Sequence, residues 1–299
     1  MDRLEWIVYY QLSFRSNLLA CQSKNTKLST LNPQLLKTGT DFFPQSENYP
    51  YLCIMNSPIF SRQELLLGSE AMERIAHARV IIFGTGGVGG WCAESLVRSG
   101  ISHLTIVDSD CISTTNVNRQ IMATSQTIGE VKVEVLRRRL LEINPEADIT
   151  ALQKTYSSET KDDFHIEDYD YVVDAIDSLK DKIQLIIHAT SIDGVTLFSS
   201  MGAALRTNPF AVKSAEFWKV RNDTLAAIMR KRMRQRQMMP ARKFLCVYSD
   251  ELPQPNRGIT SETCDYKAQI NGTACHVTAM FGFALAGLVI NDIVAGYRS

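Results

Sequence analysis

The residues best suited to chemistry begin with a glycine-rich turn. Four glycines follow an apolar run in the segment GTGGVG: Gly84, Gly86, Gly87 and Gly89. Glycines at this spacing between a strand and a helix let the backbone turn tightly and bring N–H groups close to a phosphate. The pattern alone is a weak signal, because a tight turn without any ligand can have the same sequence. Its position favours a nucleotide-binding turn.

Charged residues farther along the chain indicate which nucleotide binds. Asp108 ends the next apolar run, where an acidic residue accepts hydrogen bonds from ribose hydroxyls of NAD and ATP alike. Arg119 and Lys132 would converge on the phosphates, which nicotinamide chemistry does not require. Attack on the α-phosphorus of ATP does require cations, because negative charge builds there and on the departing pyrophosphate. Asp177 could hold Mg²⁺ against those oxygens. These residues favour ATP chemistry over an NAD-dependent oxidoreductase.

The elements that must position these residues alternate between strands and helices. Four segments predict strands, at residues 80–83, 104–110, 170–177 and 195–200, and the first is a continuous apolar run, as in a strand buried on both faces. Helices are predicted between them, at residues 90–99 and 131–143 and in the segment that ends at Ala189. This alternation predicts an α/β fold with a Rossmann-like, doubly wound, mostly parallel sheet. The charged residues then lie at the carboxyl ends of strands, where such sheets bind ligands.

Composition restricts the class of protein. The 299 residues are 45% hydrophobic and 21% charged, and Lys+Arg and Asp+Glu each count 32, so no global field draws the chain to nucleic acid or membrane. The 7 cysteines form no CxxC pair, so no zinc site is expected. Their odd number, with no signal-like N-terminus, predicts a reducing, cytoplasmic location.

Several motifs together resemble one superfamily. The series FSRQELLLG, GTGGVG, VDSDCISTTNVNRQ, IGEVK, INPEA and VVDAIDS is similar to the ubiquitin-activating-like superfamily, which includes the molybdopterin- and thiamine-pathway adenylating enzymes. Within it, DAIDS, the lack of zinc CxxC pairs, DTLAAIMRKRMRQR and NGTACHVTAMFGFALAG resemble the tRNA threonylcarbamoyladenosine dehydratase family. The resemblance covers residues 60–294. It implies ATP- and Mg²⁺-dependent cyclisation of that nucleoside in tRNA through an acyl-adenylate.

The resemblance also implies roles for individual residues. Arg119, Lys132 and Asp177 would be catalytic, and Asp177 would bind Mg²⁺. The nucleotide would contact the four glycines of the turn and a polar set: Asp108, Asp110, Asn116, Arg119, Gln120 and Lys132. Arg62 would be a further catalytic residue that reaches the partner subunit's ATP, which implies a homodimer. An exposed arginine at the start of a helix is the alternative for Arg62.

One cysteine is a candidate reactive thiol. Some relatives carry a thioester-forming or persulfide-accepting cysteine, and Cys246 in FLCVYSDE is best placed, in a segment expected to be mobile. Cys264 and Cys275 are the next candidates. A functional thiol would imply a cysteine desulfurase or sulfur-acceptor partner. A buried or incidental thiol is the favoured alternative, because intramolecular cyclisation needs no enzyme thiol.

A basic segment is the candidate tRNA contact. Residues 219–243 carry many arginines and lysines against Asp223 alone, which concentrates positive charge in an otherwise neutral chain. The residues predicted to contact the RNA backbone are Arg230, Lys231, Arg232, Arg234 and Arg236. A solvated helix surface is the alternative, although charges of both signs usually mix there.

The remaining segments complete the predicted organisation. Residues 1–54 read as a poorly ordered extension, and residues 55–299 as the ATP-binding adenylating domain, with a basic and loop-like region at 206–265. An apolar helix is predicted at 273–294; it just reaches transmembrane length, but His276 within it and Asn291-Asp292 at its end make membrane attachment the less favoured alternative. The rival function is adenylation of the C-terminus of a ubiquitin-like sulfur carrier.

Overall fold

The computed structural model of this chain describes residues 58–257 and 271–296. The predicted extension at residues 1–54 and the candidate thiol Cys264 lie outside the described residues. The strands are β1 Arg79–Phe83, β2 His103–Val107, β3 Asp148–Leu152, β4 Tyr171–Asp174, β5 Thr196–Ser200, β6 Val212–Glu216 and β7 Leu245–Ser249. They form a seven-stranded sheet in the order β3-β2-β1-β4-β5-β7-β6. Every pairing is parallel except that of β6 with β7.

The helices lie on both faces of this sheet. They are α1 Ser61–Leu67, α2 Ser69–His77, α3 Gly89–Arg98, α4 Lys132–Ile143, α5 Leu179–Ser191, α6 Thr224–Gln235 and α7 Cys275–Ala295. Side chains of β1 alternate between two apolar clusters: Val80 and Ile82 pack with α3, α4 and α7, whereas Ile81 and Phe83 pack with α5 and α6. A strand buried on both faces explains the continuous apolar run. The predicted doubly wound α/β fold, with its basic helix and C-terminal apolar helix, is confirmed.

The structure differs from the sequence prediction at four strands. β3 and β6 were not predicted, because each is a short run of mixed polarity at an edge of the sheet. The prediction that residues 247–265 form a loop is wrong at its start, because residues 247–249 complete β7. β4 ends at Asp174, so Asp177 lies in the turn after the strand.

Helix α7 packs on α3 close to the glycine turn. Val277, Phe281, Leu285 and Val289 are fully buried along one side, and the rings of Trp91 and Phe283 meet edge-on at 5.7 Å. By length and hydropathy α7 could cross a membrane, and 50% of its most hydrophobic window is buried within the structure. Core helices of soluble proteins can have the same length and hydropathy, so these two properties alone do not indicate a membrane span.

Candidate active site

A cavity of about 780 Å³ lies at the carboxyl ends of the parallel strands. β2 and β3 lie on one side of β1, and β4 and β5 lie on the other, so the strand order reverses at β1. Open α/β sheets bind ligands at this switch point. Predicted site residues that line the cavity are Gly84, Gly86, Gly87, Asp108, Asp110, Asn116, Arg119, Gln120, Lys132 and Asp177. The structure therefore brings together residues that are far apart in the chain.

The glycine turn is set by close backbone contacts. Gly84 has a φ of 86°, and a Cβ atom there would lie 2.6 Å from the carbonyl oxygen of Ala175. A Cβ on Gly89 would lie 1.8 Å from the carbonyl oxygen of Gly84. Gly89 is the first residue of α3 and is not among the residues that line the cavity, and its phosphate contact stays a prediction. Its glycine allows the helix to start against β1, which directs the helix N-terminus at the cavity.

Asp108 is held by the turn that it faces. Its Oδ2 accepts hydrogen bonds from Thr85 N at 2.8 Å and Thr85 Oγ1 at 3.1 Å, and its Oδ1 accepts one from Asp110 N at 3.0 Å. The side chain is 11% exposed. Each carboxylate oxygen can accept more than one hydrogen bond, so capacity remains for a ribose hydroxyl. Asp108 therefore joins the glycine turn to the predicted ribose position.

Lys132 places a positive charge beside this carboxylate. Its Nζ lies 2.8 Å from Asp110 Oδ2 and 3.9 Å from Asp108 Oδ1. The Lys132 side chain is 7% exposed and that of Asp110 is 64% exposed. A buried ammonium group with a solvent-accessible partner can exchange that partner for a phosphate at small cost.

Arg119, Asn116 and Gln120 line the cavity from a turn that follows β2. Arg119 Nη1 donates to the carbonyl oxygen of Thr115 and to Asn118 Oδ1, both at 2.9 Å. Asn116 is buried, and its Oδ1 accepts from Ser113 N at 3.0 Å. Gln120 is also buried, and its Oε1 is without a hydrogen-bond partner among the described residues. A buried polar atom of this kind in a cavity wall suits a site that a polar ligand completes.

A buried ion pair shapes the turn that presents Asp177. Lys182 Nζ lies 2.8 Å from Asp174 Oδ2, and both side chains are fully buried. Asp174 also accepts from Ser199 Oγ at 2.6 Å and from Ile176 N at 3.1 Å, and Lys182 Nζ donates to the carbonyl oxygen of Ile176 at 3.1 Å. These bonds satisfy the charges and fix the backbone before Asp177. Asp177 is exposed into the cavity.

Comparisons with known proteins identify the family of this chain. The family model described as the ThiF family matches residues 60–293. A tRNA threonylcarbamoyladenosine dehydratase from Bacillus subtilis is 34% identical over 242 residues, which cover 79% of this chain and 94% of that protein. Crystal structures of the Escherichia coli dehydratase with AMP and with ATP superpose with TM-scores of 0.72 and 0.70, at 30% identity, and cover 80% of this chain and 95% of that protein.

This chain belongs to the ThiF family. The resemblance to the ubiquitin-activating-like superfamily, and within it to the tRNA threonylcarbamoyladenosine dehydratases, is confirmed. Because nearly the whole length of those dehydratases is matched, the likeness includes the region beyond the nucleotide site as well as the glycine turn.

The cavity is also lined by residues that were not predicted from the sequence. Lys154 and Tyr156 line it after β3, Thr278 lines it from α7, and residues 200–204 form one wall. Lys154 Nζ donates to Asp163 Oδ2 at 3.1 Å, and Tyr156 OH is 2.9 Å from His188 Nδ1. The mixed polarity of β3 gives no strand pattern in the sequence, so the sequence does not indicate that Lys154 and Tyr156 follow a strand. The only available signal was the general rule that every parallel strand ends at the site.

The donor set suits Mg²⁺ held together with a nucleotide. Among the described residues no cluster of three or more His, Cys, Asp or Glu could hold a metal ion by itself. Mg²⁺ in phosphoryl-transfer sites needs only one or two carboxylates, since phosphate oxygens and water complete its shell. Asp177 provides one carboxylate, and Asp181 lines the same cavity.

Arg62 stands apart from the cavity of its own chain. It is exposed on α1 and is not among the lining residues. The neighbouring Leu65 and Leu66 on α1 are also exposed. This position is compatible with the predicted reach of Arg62 to a second subunit.

Four of the five predicted RNA contacts are exposed: Lys231, Arg232 and Arg234 on the basic helix α6, and Arg236 directly after its last residue. Arg230 differs from these four residues and is half-buried. Its Nη1 donates to the carbonyl oxygens of Phe217 at 2.9 Å and Val220 at 3.0 Å, and its guanidinium lies over the Phe217 ring. Arg230 holds the preceding segment against α6 with its Nη1, so we expect it to contribute to the fold more than to RNA binding.

Cys246 is a correction. It lies on β7 between β5 and β6, is 0% exposed, and is not part of a mobile segment. Burial raises the pKa of the Cys246 thiol well above its ordinary value. A thiol that stays protonated and has no solvent access is inert toward electrophiles. The structure therefore supports the alternative that Cys246 is a core residue. Cys275 is half-buried at the start of α7.

Proposed function

We propose that this protein catalyses the ATP-dependent dehydration of threonylcarbamoyladenosine in tRNA through an acyl-adenylate. One combination of observations supports this above all. The match covers 94% of the Bacillus subtilis dehydratase, and one cavity contains the glycine turn, Asp108, Arg119, Lys132 and Asp177. A turn and a ribose-binding acid alone would suit many nucleotides. Two cations and a carboxylate beside them suit attack on a phosphate.

The first step activates the substrate. The carboxylate of the threonyl side chain attacks the α-phosphorus of ATP, a new P–O bond forms, and pyrophosphate leaves. Arg119 and Lys132 stabilise the negative charge that grows on the phosphorus and on the leaving group. Mg²⁺ held by Asp177 would supply further neutralisation of those oxygens.

The second step closes the ring. The urea group of the same side chain attacks the activated carbonyl, loses a proton to solvent, and expels AMP. The product is the cyclic ester-type or hydantoin form, and one water has been removed overall at the expense of ATP. Because the substrate supplies its own nucleophile, the protein contributes charge stabilisation and orientation. A buried Cys246 is consistent with this route.

The active unit in this proposal is a homodimer in the cytoplasm. Arg62 of one protomer completes the site of the other. Mixing an Arg62→Ala chain with a Lys132→Ala chain tests this, because each homodimer lacks one group at both sites, whereas a mixed dimer has one intact site. With free subunit exchange we expect about a quarter of wild-type activity from the mixture. Activity no higher than the two variants alone would show that Arg62 does not act in trans.

The decisive experiment is mass spectrometry of nucleosides. The protein is incubated with ATP, Mg²⁺ and tRNA that carries threonylcarbamoyladenosine, and we expect that nucleoside to lose the mass of one water. Lys132→Ala and Asp177→Ala should abolish the loss. Matched surface controls are Lys161→Ala and Asp162→Ala, which remove an exposed lysine and an exposed aspartate outside the cavity. An unchanged nucleoside, with ATP–pyrophosphate exchange only when a ubiquitin-like carrier is added, would replace this function with carrier adenylation.

A further inference from the structure

The basic helix begins at the wall of the cavity. Asp223 immediately precedes α6 and is 4% exposed. Its Oδ1 accepts a hydrogen bond from Ala226 N at 2.8 Å, in the first turn of α6. Its Oδ2 accepts one from Gly202 N at 3.0 Å, and Gly202 lines the cavity. One buried carboxylate therefore holds both the start of the basic helix and a segment of the nucleotide site.

Neighbouring contacts keep this carboxylate in place. Arg206 is buried, its Nη2 lies 4.0 Å from Asp223 Oδ2, and it donates to the carbonyl oxygen of Asn222 at 2.6 Å. Burial raises the pKa of Asp223, although the N–H groups of Ala226 and Gly202 and the charge of Arg206 act to lower it. A charge kept in such a costly environment, when a neutral residue can cap a helix, indicates a requirement beyond capping.

Asparagine, serine and threonine cap helices about as well as aspartate. They differ from aspartate in the second hydrogen bond, the one from Gly202 N. An asparagine side chain has only one acceptor oxygen, so it could satisfy Ala226 N or Gly202 N but not both in this geometry. Serine and threonine are too short to bridge two segments. The carboxylate is the group that serves both.

The helix transmits this anchoring to the exposed arginines and lysine. Met229 and Met233 are fully buried on the inner side of α6, so the helix is packed against the core along its length. At 1.5 Å per residue, residues 231–236 lie roughly 10–20 Å along the axis from Asp223. Leu225, in the first turn, itself lines the cavity. The distance from cavity wall to RNA-contacting charges is thus set at one end by Asp223.

We propose that Asp223 is a positioning residue that fixes the register between the RNA-contacting helix α6 and the cavity wall at Gly202. RNA bound on α6 then presents its modified nucleoside to the nucleotide at the correct distance. The inference rests on the proposed function, because it assumes that α6 binds the tRNA substrate. A shift of about 1 Å in reacting groups is sufficient to slow chemistry by orders of magnitude.

Asp223→Asn tests the proposal, because it leaves one acceptor oxygen for the two N–H groups of Ala226 and Gly202, so the bridge between helix and cavity wall is lost in either orientation of the amide. We expect the single-turnover dehydration rate to fall by about tenfold or more, while the Kd values for tRNA and ATP change by less than about threefold. Glu216→Gln is the matched control. Glu216 accepts from Trp218 N at the start of a short helical turn in the same basic region, without lining the cavity. It should retain the wild-type rate.

Two results would overturn the proposal. One is a folded Asp223→Asn protein whose single-turnover rate is within about twofold of wild type. The other is a loss of tRNA affinity that accounts for the whole rate defect, which would mean that Asp223 only stabilises the helix. Asp223→Ala removes both bonds, and its thermal midpoint should lie below that of Asp223→Asn.

A second measurement separates this inference from the proposed reaction. Amide hydrogen exchange of residues 200–206 is followed with and without tRNA that lacks the modification. We expect tRNA to slow exchange there by about fivefold in wild type and by less than about twofold in Asp223→Asn. If tRNA slows exchange in this way but the wild-type protein does not dehydrate the nucleoside, the proposed reaction is refuted and the role of Asp223 is retained. No effect of tRNA on the wild-type protein would refute the role of Asp223.

Discussion

Replacement of Asp108 by asparagine changes the side chain by only one group, but it should weaken ATP binding strongly. Both carboxylate oxygens accept backbone N–H groups, Oδ2 from Thr85 and Oδ1 from Asp110. An asparagine has one oxygen and one NH₂ group. In either orientation the NH₂ group therefore faces a backbone N–H, so one donor loses its partner. The substitution also removes the negative charge 3.9 Å from Lys132 Nζ.

The magnitude follows from these contacts. An unsatisfied N–H with the loss of a charged acceptor costs about 1.5–3 kcal/mol. Because the affected turn cradles the phosphates, most of this cost should appear in ATP affinity, as a rise in Kd of about 10- to 150-fold. Asp110→Asn is the matched control, since Asp110 contributes one ion pair to Lys132 and its side chain is 64% exposed. Its effect should stay below about 1 kcal/mol, or about fivefold in Kd.

Equilibrium titration with a fluorescent ATP analogue measures both variants, and urea denaturation reports their free energies of unfolding. The reasoning requires that Asp108→Asn lose much more affinity than Asp110→Asn. Equal Kd values for the two variants, or wild-type affinity in Asp108→Asn, would refute the claim that two opposed backbone donors make the carboxylate necessary.

Three further predictions concern other parts of the chain. Cys246→Ala should keep the wild-type dehydration rate and lose about 1 kcal/mol of stability, because the thiol only packs in the core; loss of activity in a stable variant would restore a catalytic thiol. Arg232→Ala should reduce the slope of log Kd for tRNA against log salt by about 0.7–0.9, whereas Arg230→Met should lower the thermal midpoint and leave that slope unchanged. Hydrogen bonds from the N–H groups of Asn208 and Thr207 lower the pKa of Glu251 from 4.5 to about 2. The charged side chain therefore stabilises the fold above pH 4.5, and this contribution is lost as the pH falls from 4.5 toward 2. The difference in unfolding free energy between wild type and Glu251→Gln should shrink across that range, and a constant difference would contradict the assignment.

Much of the fold was predictable because its signals are local. The glycine turn, the buried runs on both sides of it and the acid after the next strand lie within about thirty residues of each other, which is the length of one strand-helix-strand unit. β3 and β6 could not be predicted, because edge strands are only partly buried and their composition is mixed. The end of β4 was misplaced because Ala175 and Ile176 continue the apolar run in sequence, whereas the carboxylate of Asp174 accepts a hydrogen bond from Ile176 N and the backbone turns there.

The sequence by itself determined the residue types and spacings that define the fold class, the nucleotide turn, the charged residues of the site and the basic helix. These depend on neighbours a few positions away and on the periodicity of the chain. Only the tertiary structure decided that Arg230 binds carbonyl oxygens, that Cys246 lies in the core, and that Asp223 joins a helix to the cavity wall. Burial and hydrogen-bond partners come from segments distant in the chain, so no local pattern contains them.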